Sequence, residues 1–323
     1  MGPTIANAHI LLLPVRPPGG QLRGGSATVA ALTTTGRLLR WGLRAAWLAL
    51  PATAGGTMGA ALSGHSFPVR SAVEGVLWAG WATVLIATLI PYPVPLTVLR
   101  VGAPAAVVAA AAASTGAGPA TGRAGALASS VIAALLAFSP GIGAQWVDGP
   151  SYPDERRFPL RAPGLLLLGP VPLAWALALG APLGGVLLLA ARQWAVGGAV
   201  LVAGAALAAV LLRSLHTLSR RWVVFVPAGV VLHDEMSLTD PVLFVRTVIE
   251  TLRPAPAGTD SLDLTQGALG LALELILREK VEMTRTRPGR RAGEPGASAR
   301  LLFTPTRPGA VLGEARARRV PVG

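Results

Sequence analysis

Three groups of ionisable residues are spaced closely enough to do chemistry. His65, Arg70 and Glu74 bring a base, a cation and an acid together over a short stretch, the ingredients of an ion or proton site. Arg213, Arg220 and Arg221 follow an uncharged run, Gln193 to Leu212. They could hold the phosphate of an anionic lipid, each arginine near a membrane surface contributing about 1 kcal/mol. Asp234, Glu235 and Asp240 form an acidic loop beside His233. Each group also has a plainer reading: solvated or paired side chains at an interface, a topology signal, and a solvated strand turn. For the first group the plainer reading is preferred, because placement at headgroup depth removes most of the cost that makes intramembrane charge informative.

Other chemistries have no residues to work with. Cysteine is absent, which excludes disulfides and thiolate metal sites. The histidines, His9, His65, His216 and His233, are scattered and form no HExxH pair, and no GxSxG or paired intramembrane aspartates occur. No catalytic, cofactor-binding or metal residue is assigned.

The elements that must position these groups are membrane helices. Of 323 residues, 52% are hydrophobic and 13% charged, against about 25% charged in ordinary soluble proteins. A formal net charge of +13 does not point to nucleic acid, because the arginines flank apolar runs rather than interleave with aromatics on a soluble face. Abundant Ala, Gly, Pro and Arg with one lysine, Lys280, fits a GC-rich bacterial genome.

Residues 1–40 carry Arg16, Arg23, Arg37 and Arg40 without an acid and read as a disordered basic arm. Six membrane spans are expected within residues 41–218. They run Ala45 to Gly64, broken by Pro51; Ser71 to Ile90; Leu96 to Ser114; Ala124 to Ser139; Pro163 to Ala191; and Gln193 to Leu212. The fifth is either one kinked, tilted helix or a shorter helix with a re-entrant turn, and a single crossing is preferred. Gly55 and Gly59 have the GxxxG spacing that lets helices approach, although ordinary packing explains such spacing in an alanine-glycine-rich chain. Gln145 to Arg161 reads as a polar loop.

Arginine counts give the orientation. With a cytoplasmic N-terminus the inner segments hold twelve: Arg16, Arg23, Arg37, Arg40, Arg44, Arg100, Arg156, Arg157, Arg161, Arg213, Arg220 and Arg221. The outer loops hold three, Arg70, Arg123 and Arg192. That asymmetry predicts a multi-pass cell-membrane protein with both termini cytoplasmic.

Residues 219–323 lose the helical pattern. Strands are expected at Trp222 to Val226, Gly229 to His233, Pro241 to Leu252, Leu262 to Thr265, Leu271 to Thr284 and Arg300 to Thr304, followed by a helix from Pro308 to Arg318. Arg285, Arg287, Arg290 and Arg291 lie in or beside a Gly- and Pro-rich loop and could add to the lipid-facing charge. The expected fold is therefore an α-helical integral membrane domain followed by a small β-rich domain ending in a helix.

Three segments carry a resemblance: Ser219-Arg220-Arg221-Trp222-Val223-Val224-Phe225-Val226-Pro227-Ala228-Gly229, Leu262-Asp263-Leu264-Thr265-Gln266-Gly267, and Thr304-Pro305-Thr306-Arg307-Pro308-Gly309-Ala310. Through them the tail resembles bacterial pleckstrin-homology-like domains. The whole chain is similar to a family of actinobacterial multi-pass membrane proteins carrying such a domain. The resemblance implies the PH-like fold without a particular activity, and the basic pattern that binds phosphoinositides in eukaryotic domains is absent.

The function expected is a non-enzymatic anchor or scaffold. It would present the cytoplasmic domain to the inner membrane surface, with anionic phospholipid as one partner, or to a protein partner. A small permease or transport-associated subunit with a regulatory tail is the alternative, and an intramembrane enzyme is the weakest reading.

Overall fold

The computed structural model describes residues 25–116, 119–286 and 293–323, with backbone alone for 25–33. The chain begins there as α1 (Gly25–Leu62), followed by α2 (Phe67–Leu89), α3 (Pro93–Ala113), α4 (Ala120–Phe138) and a short α5 (Pro140–Asp148). Part of the expected basic arm is thus helical, from Gly25 to Arg40, while residues 1–24 lie outside the described residues. After strand β1 (Arg156–Pro159) come α6 (Gly164–Leu168), α7 (Pro170–Ala190) and α8 (Trp194–Thr217).

Five helices, α2, α3, α4, α7 and α8, are long and apolar enough to cross a membrane. The shortest, α4 at 19 residues, reaches about 28 Å at ~1.5 Å per residue, close to the thickness of a hydrocarbon core. The expected sixth, in α1, is not among them, because Pro51, Thr53, Gly55, Gly56, Thr57 and Gly59 dilute its apolar content. Even so, α1 runs the length of the bundle. Leu39 lies against Gly141 at one end, and Ala61 lies against Gly116 at the other.

Prolines begin several of these helices. Pro93, Pro140 and Pro170 occupy first turns, where a missing N–H leaves no bond unmade. The stretch from Pro163 to Ala191 divides at Gly169 into α6 and α7, and α7 makes the crossing. Pro51, Pro104 and Pro182 are carried inside α1, α3 and α7.

Packing separates a bundle from a hairpin. Helices α1 to α4 surround Leu43, Trp47, Leu96, Leu99, Ile142 and Trp146, all buried, with α5 closing one end. Helices α7 and α8 pack tightly on each other. Gly185, Gly197 and Gly204 make this possible: a Cβ at these positions would stand 2.5–2.7 Å from backbone atoms of Leu201, Leu189 and Ala181. Small residues at helix contacts are the usual means of close approach in lipid. By contrast, Gly55 and Gly59 have nothing within 4 Å of a built Cβ, so their GxxxG spacing serves no helix contact.

The β-rich region holds two four-stranded sheets. One has the antiparallel order β1-β2-β3-β4, adding β2 (Arg221–Val226), β3 (Gly229–Asp234) and β4 (Val242–Val245). The other has the order β5-β7-β8-β6, from β5 (Ile249–Pro254), β6 (Leu262–Asp263), β7 (Leu273–Arg285) and β8 (Glu294–Phe303). Val223, Phe225, Leu232, Phe244, Leu275 and Phe303 meet in one core, and helix α9 (Pro308–Ala317) adds Val311, Leu312 and Ala315.

Two expectations change. The single segment Pro241 to Leu252 is two strands in different sheets, separated by a turn in which Val248 N donates to Val245 O at 3.0 Å. The polar loop Gln145 to Arg161 contains the end of α5 and all of β1. Strand β1 pairs with β2 from the far side of two membrane helices, so the β-rich domain is not confined to residues 219–323.

Candidate functional site: the junction between sheet and bundle

The outer face of the first sheet meets the bundle. Along β2, Val223 and Phe225 turn into the core, so Trp222 and Val224 take the opposite face by the two-residue period of a strand. Trp222 packs against the bundle's core cluster. Its ring stacks on His233 of β3 at 4.6 Å, and the Arg157 guanidinium lies 5.9 Å from the Trp222 ring. Arg157 is held in place from both sides: its backbone N–H donates to Asp148 Oδ1 at 2.8 Å, and its side chain pairs with Glu155 at 3.3 Å. Around these groups lies a hollow of about 260 Å³, lined also by Val224, Val231 and Pro241.

Two polar atoms there, Arg157 Nε and His233 Nε2, are buried without a hydrogen-bond partner. Glu235 Oε1 stands 3.9 Å from His233 Nε2, an electrostatic neighbour rather than a bonded one. Burial pushes the His233 pKa below the ordinary histidine value; Arg220 and Arg157 push the same way, and Glu235 and Asp234 oppose. Chemically, Arg157 Nε can donate a hydrogen bond into this hollow, and the neutral His233 ring can donate or accept one at Nε2 according to its tautomer.

Of the described basic residues expected at the lipid surface, Arg213 alone is free of an ion pair. It is exposed near the end of α8 and makes no ion pair among the described residues. Arg220 pairs with Glu235 at 2.7 Å, half-exposed. Arg221 does not face lipid. It is 1% exposed, and its Nε and Nη2 donate to the two oxygens of Asp234 at 2.7 and 2.8 Å, while Nη1 donates to Arg161 O. The side chain alternates inward at the start of β2, where a buried charge requires a partner. Asp234 is therefore not solvated, and it also accepts from Ser237 Oγ and Met236 N. Arg285 pairs with Glu294 at 3.5 Å. Arg287, Arg290 and Arg291 lie outside the described residues.

At the opposite end of the bundle, Arg70 and Glu74 approach to 3.9 Å one helical turn apart in α2, both partly exposed. His65 is exposed in the preceding turn and joins neither. The three form no enclosed site. Among the described residues, no three His, Asp or Glu side chains come together as a metal-holding set.

Sequence reasoning missed three features. Arg100 of α3 lies under α5, close to Gly143, with its Nε buried and unpartnered. A lone arginine within an apolar span was a visible signal, although it served only as a topology marker. The second feature is Glu274, buried in β7, which accepts hydrogen bonds from Thr259, Ser261 and Arg253 at 2.6–2.8 Å. Burial alone would raise its pKa; those three donors and the Arg253 charge outweigh it and bring the pKa down to about 2.

The third is apolar. The loop before β7 reaches α6, where Gly164 N donates to Gly267 O at 3.4 Å and Leu269 lies against Gly164. Leu165, Leu168, Leu269 and Leu271 are 82%, 84%, 76% and 50% exposed. Arg161 sits beside Gly270 at the edge of this patch. The loop's φ values of 56° at Gln266, 68° at Gly267 and 126° at Gly270 turn the leucines outward, a backbone that glycine permits at two of the three positions.

No protein-family model matches the chain, and neither a curated protein nor a solved structure shows significant similarity to it.

Proposed function

We propose that the protein is a membrane-anchored, non-enzymatic scaffold whose PH-like domain is held flat against the inner leaflet of the cell membrane. The observation that carries this reading is the leucine patch shared by α6 and the Gln266–Gly270 loop. Helix α7 begins two residues beyond Leu168, so α6 stands where the chain enters the hydrocarbon. Leu269, which lies against Gly164, shares that level, and large exposed apolar patches mark interaction surfaces. Arg161 at the patch edge suits a headgroup layer.

Orientation follows from charge. The loops at the end away from the sheets carry Arg70, Arg123 and Arg192, whereas Arg37, Arg40, Arg44, Arg100, Arg156, Arg157, Arg161 and Arg213 lie toward the sheets. With α1 counted as a sixth crossing, the positive-inside rule puts the domain and both termini in the cytoplasm. The edge strand β4, with Leu243 and Val245 half-exposed, is one edge of the domain that can offer backbone to a partner's strand.

The absence of cysteine makes the test direct. An environment-sensitive fluorophore on Leu269→Cys should report a lipid environment in proteoliposomes and be quenched by lipids spin-labelled near the glycerol backbone. The same fluorophore on Leu243→Cys should report water. Water at both positions would overturn the reading.

A further inference from the structure

The α7–α8 hairpin is tied to α3 at two points. Trp175 Nε1 donates to Val101 O at 2.8 Å, and Thr97 Oγ1 meets His216 Nδ1 at 2.8 Å. Between these ties and the α1–α2 side the helices do not close. They leave a groove of about 1320 Å³, walled by apolar side chains such as Leu50, Leu77, Val98 and Leu179 from four different helices. Small-molecule pockets hold roughly 300–1,000 Å³. This space is larger, lies within the membrane-crossing segment, and offers almost nothing to hydrogen-bond.

The groove is kept open by glycine. Gly55, Gly59, Gly80 and Gly180 all border it, and a Cβ at any of the four would meet nothing within 4 Å. Side chains at these positions would have filled the space, so the four glycines set its width. This is a different use of glycine from the α7–α8 contact, where backbone fills the room that the missing side chain leaves.

Charge gives the groove a direction. Glu74 borders it toward the end away from the sheets, and Arg213 and His216 border it at the sheet end. Arg213 is exposed and has no carboxylate partner among the described residues. A long apolar occupant with an anion at one terminus finds an unpaired cation at the Arg213 end, whereas the carboxylate at the other end, Glu74, already stands 3.9 Å from Arg70.

We infer that the groove binds one anionic two-chain phospholipid, its acyl chains between α1, α2, α3 and α7 and its phosphate at Arg213. The lipid comes from the leaflet on the side of the sheets. This inference needs only that the helices stand in a bilayer; it rests neither on the scaffold reading nor on which compartment the sheets face.

The test uses the full-length protein purified in detergent, incubated with an equimolar mixture of phosphatidylglycerol and phosphatidylcholine, and analysed by native mass spectrometry. The wild type should retain phosphatidylglycerol in preference. Arg213→Gln should lower that adduct about fivefold, the factor expected from one basic residue near the surface, and leave the phosphatidylcholine adduct unchanged. Arg213→Lys should retain the preference, which separates charge from fold. Gly180→Phe, which places a ring in the open space, should suppress both adducts. Equal retention of the two lipids by the wild type, or an unchanged preference in Arg213→Gln, would overturn the headgroup assignment. Undiminished adducts in Gly180→Phe would overturn the groove itself. Displacement of the lipid by millimolar glycerol 3-phosphate would also count against it, since the phosphate alone would then suffice.

Discussion

Trp47 and Trp81 each donate an indole N–H to the other's backbone carbonyl, at 2.9 and 3.0 Å. The two bonds lie side by side and join α1 to α2 at mid-bundle, where water is not at hand to replace either. Replacing Trp47 or Trp81 by Phe should each cost about 1 kcal/mol of bundle stability, read as a lower midpoint for unfolding in mixed micelles. Because the residues share one contact, the double variant should lose less than the sum of the singles. Strict additivity would show that the bonds act independently.

The hairpin of α7 and α8 gives a sharper steric expectation. Gly204→Val places methyl groups where Ala181 backbone already stands, and overpacking of this kind costs about 1–3 kcal/mol or more. Gly55→Val points into open space and should leave the unfolding midpoint within the error of the wild type. Similar midpoints for the two variants would refute the close contact between the helices.

A buried ion pair holds β2 to β3. Asp234→Ala leaves Arg221 buried without its carboxylate, and breaking such pairs costs about 3–5 kcal/mol. Arg221→Met combined with Asp234→Leu removes both charges and should recover part of that loss. Denaturant midpoints of the β-rich domain check this, and a double variant as unstable as Asp234→Ala would argue against a charge-burial origin.

Two groups make the domain acid-sensitive. The folded-state pKa of Glu274, about 2, lies below its unfolded value near 4.5, so its contribution is present above 4.5 and is lost as pH falls toward 2. His233 is also depressed, by burial first, and for a base this means that the unfolded chain takes up the proton more readily. Its share of stability declines as pH falls through the ordinary histidine value of 6.5 toward its lower folded-state pKa. Stability against pH should therefore drop in two separate ranges. Glu274→Gln should abolish the lower step and spare the upper, and His233→Phe should do the reverse.

Much of the architecture could be read directly from the residues. The β-branched run from Trp222 and the Pro-Ala-Gly turn yield the β2–β3 hairpin, whose last pair is Val226 with Gly229. The strand expected from Leu271 forms from Leu273 as β7, and Pro308 opens α9 as its missing N–H allows. What escaped depended on partners distant in sequence. Strand β1 is four residues long and its register is set only by β2. Arg221 is the same residue type as the half-exposed Arg220 beside it, and only the two-residue period of β2 sends it inward to Asp234. The groove is formed by what four glycines lack, and a GxxxG pattern gives no sign of whether the vacant space will be filled by a neighbouring helix.

The position of β1 imposes an order on assembly. It leaves the ribosome before α7 and α8, yet its pairing partner β2 follows them. The first sheet therefore cannot begin to pair until both helices have been threaded through the bilayer and returned the chain to the side where β1 waits. A completed sheet is in this sense a receipt for correct insertion: a chain with the hairpin misplaced or inverted would leave the edge of β2 without β1, an unpaired strand edge of the kind that templates aggregation.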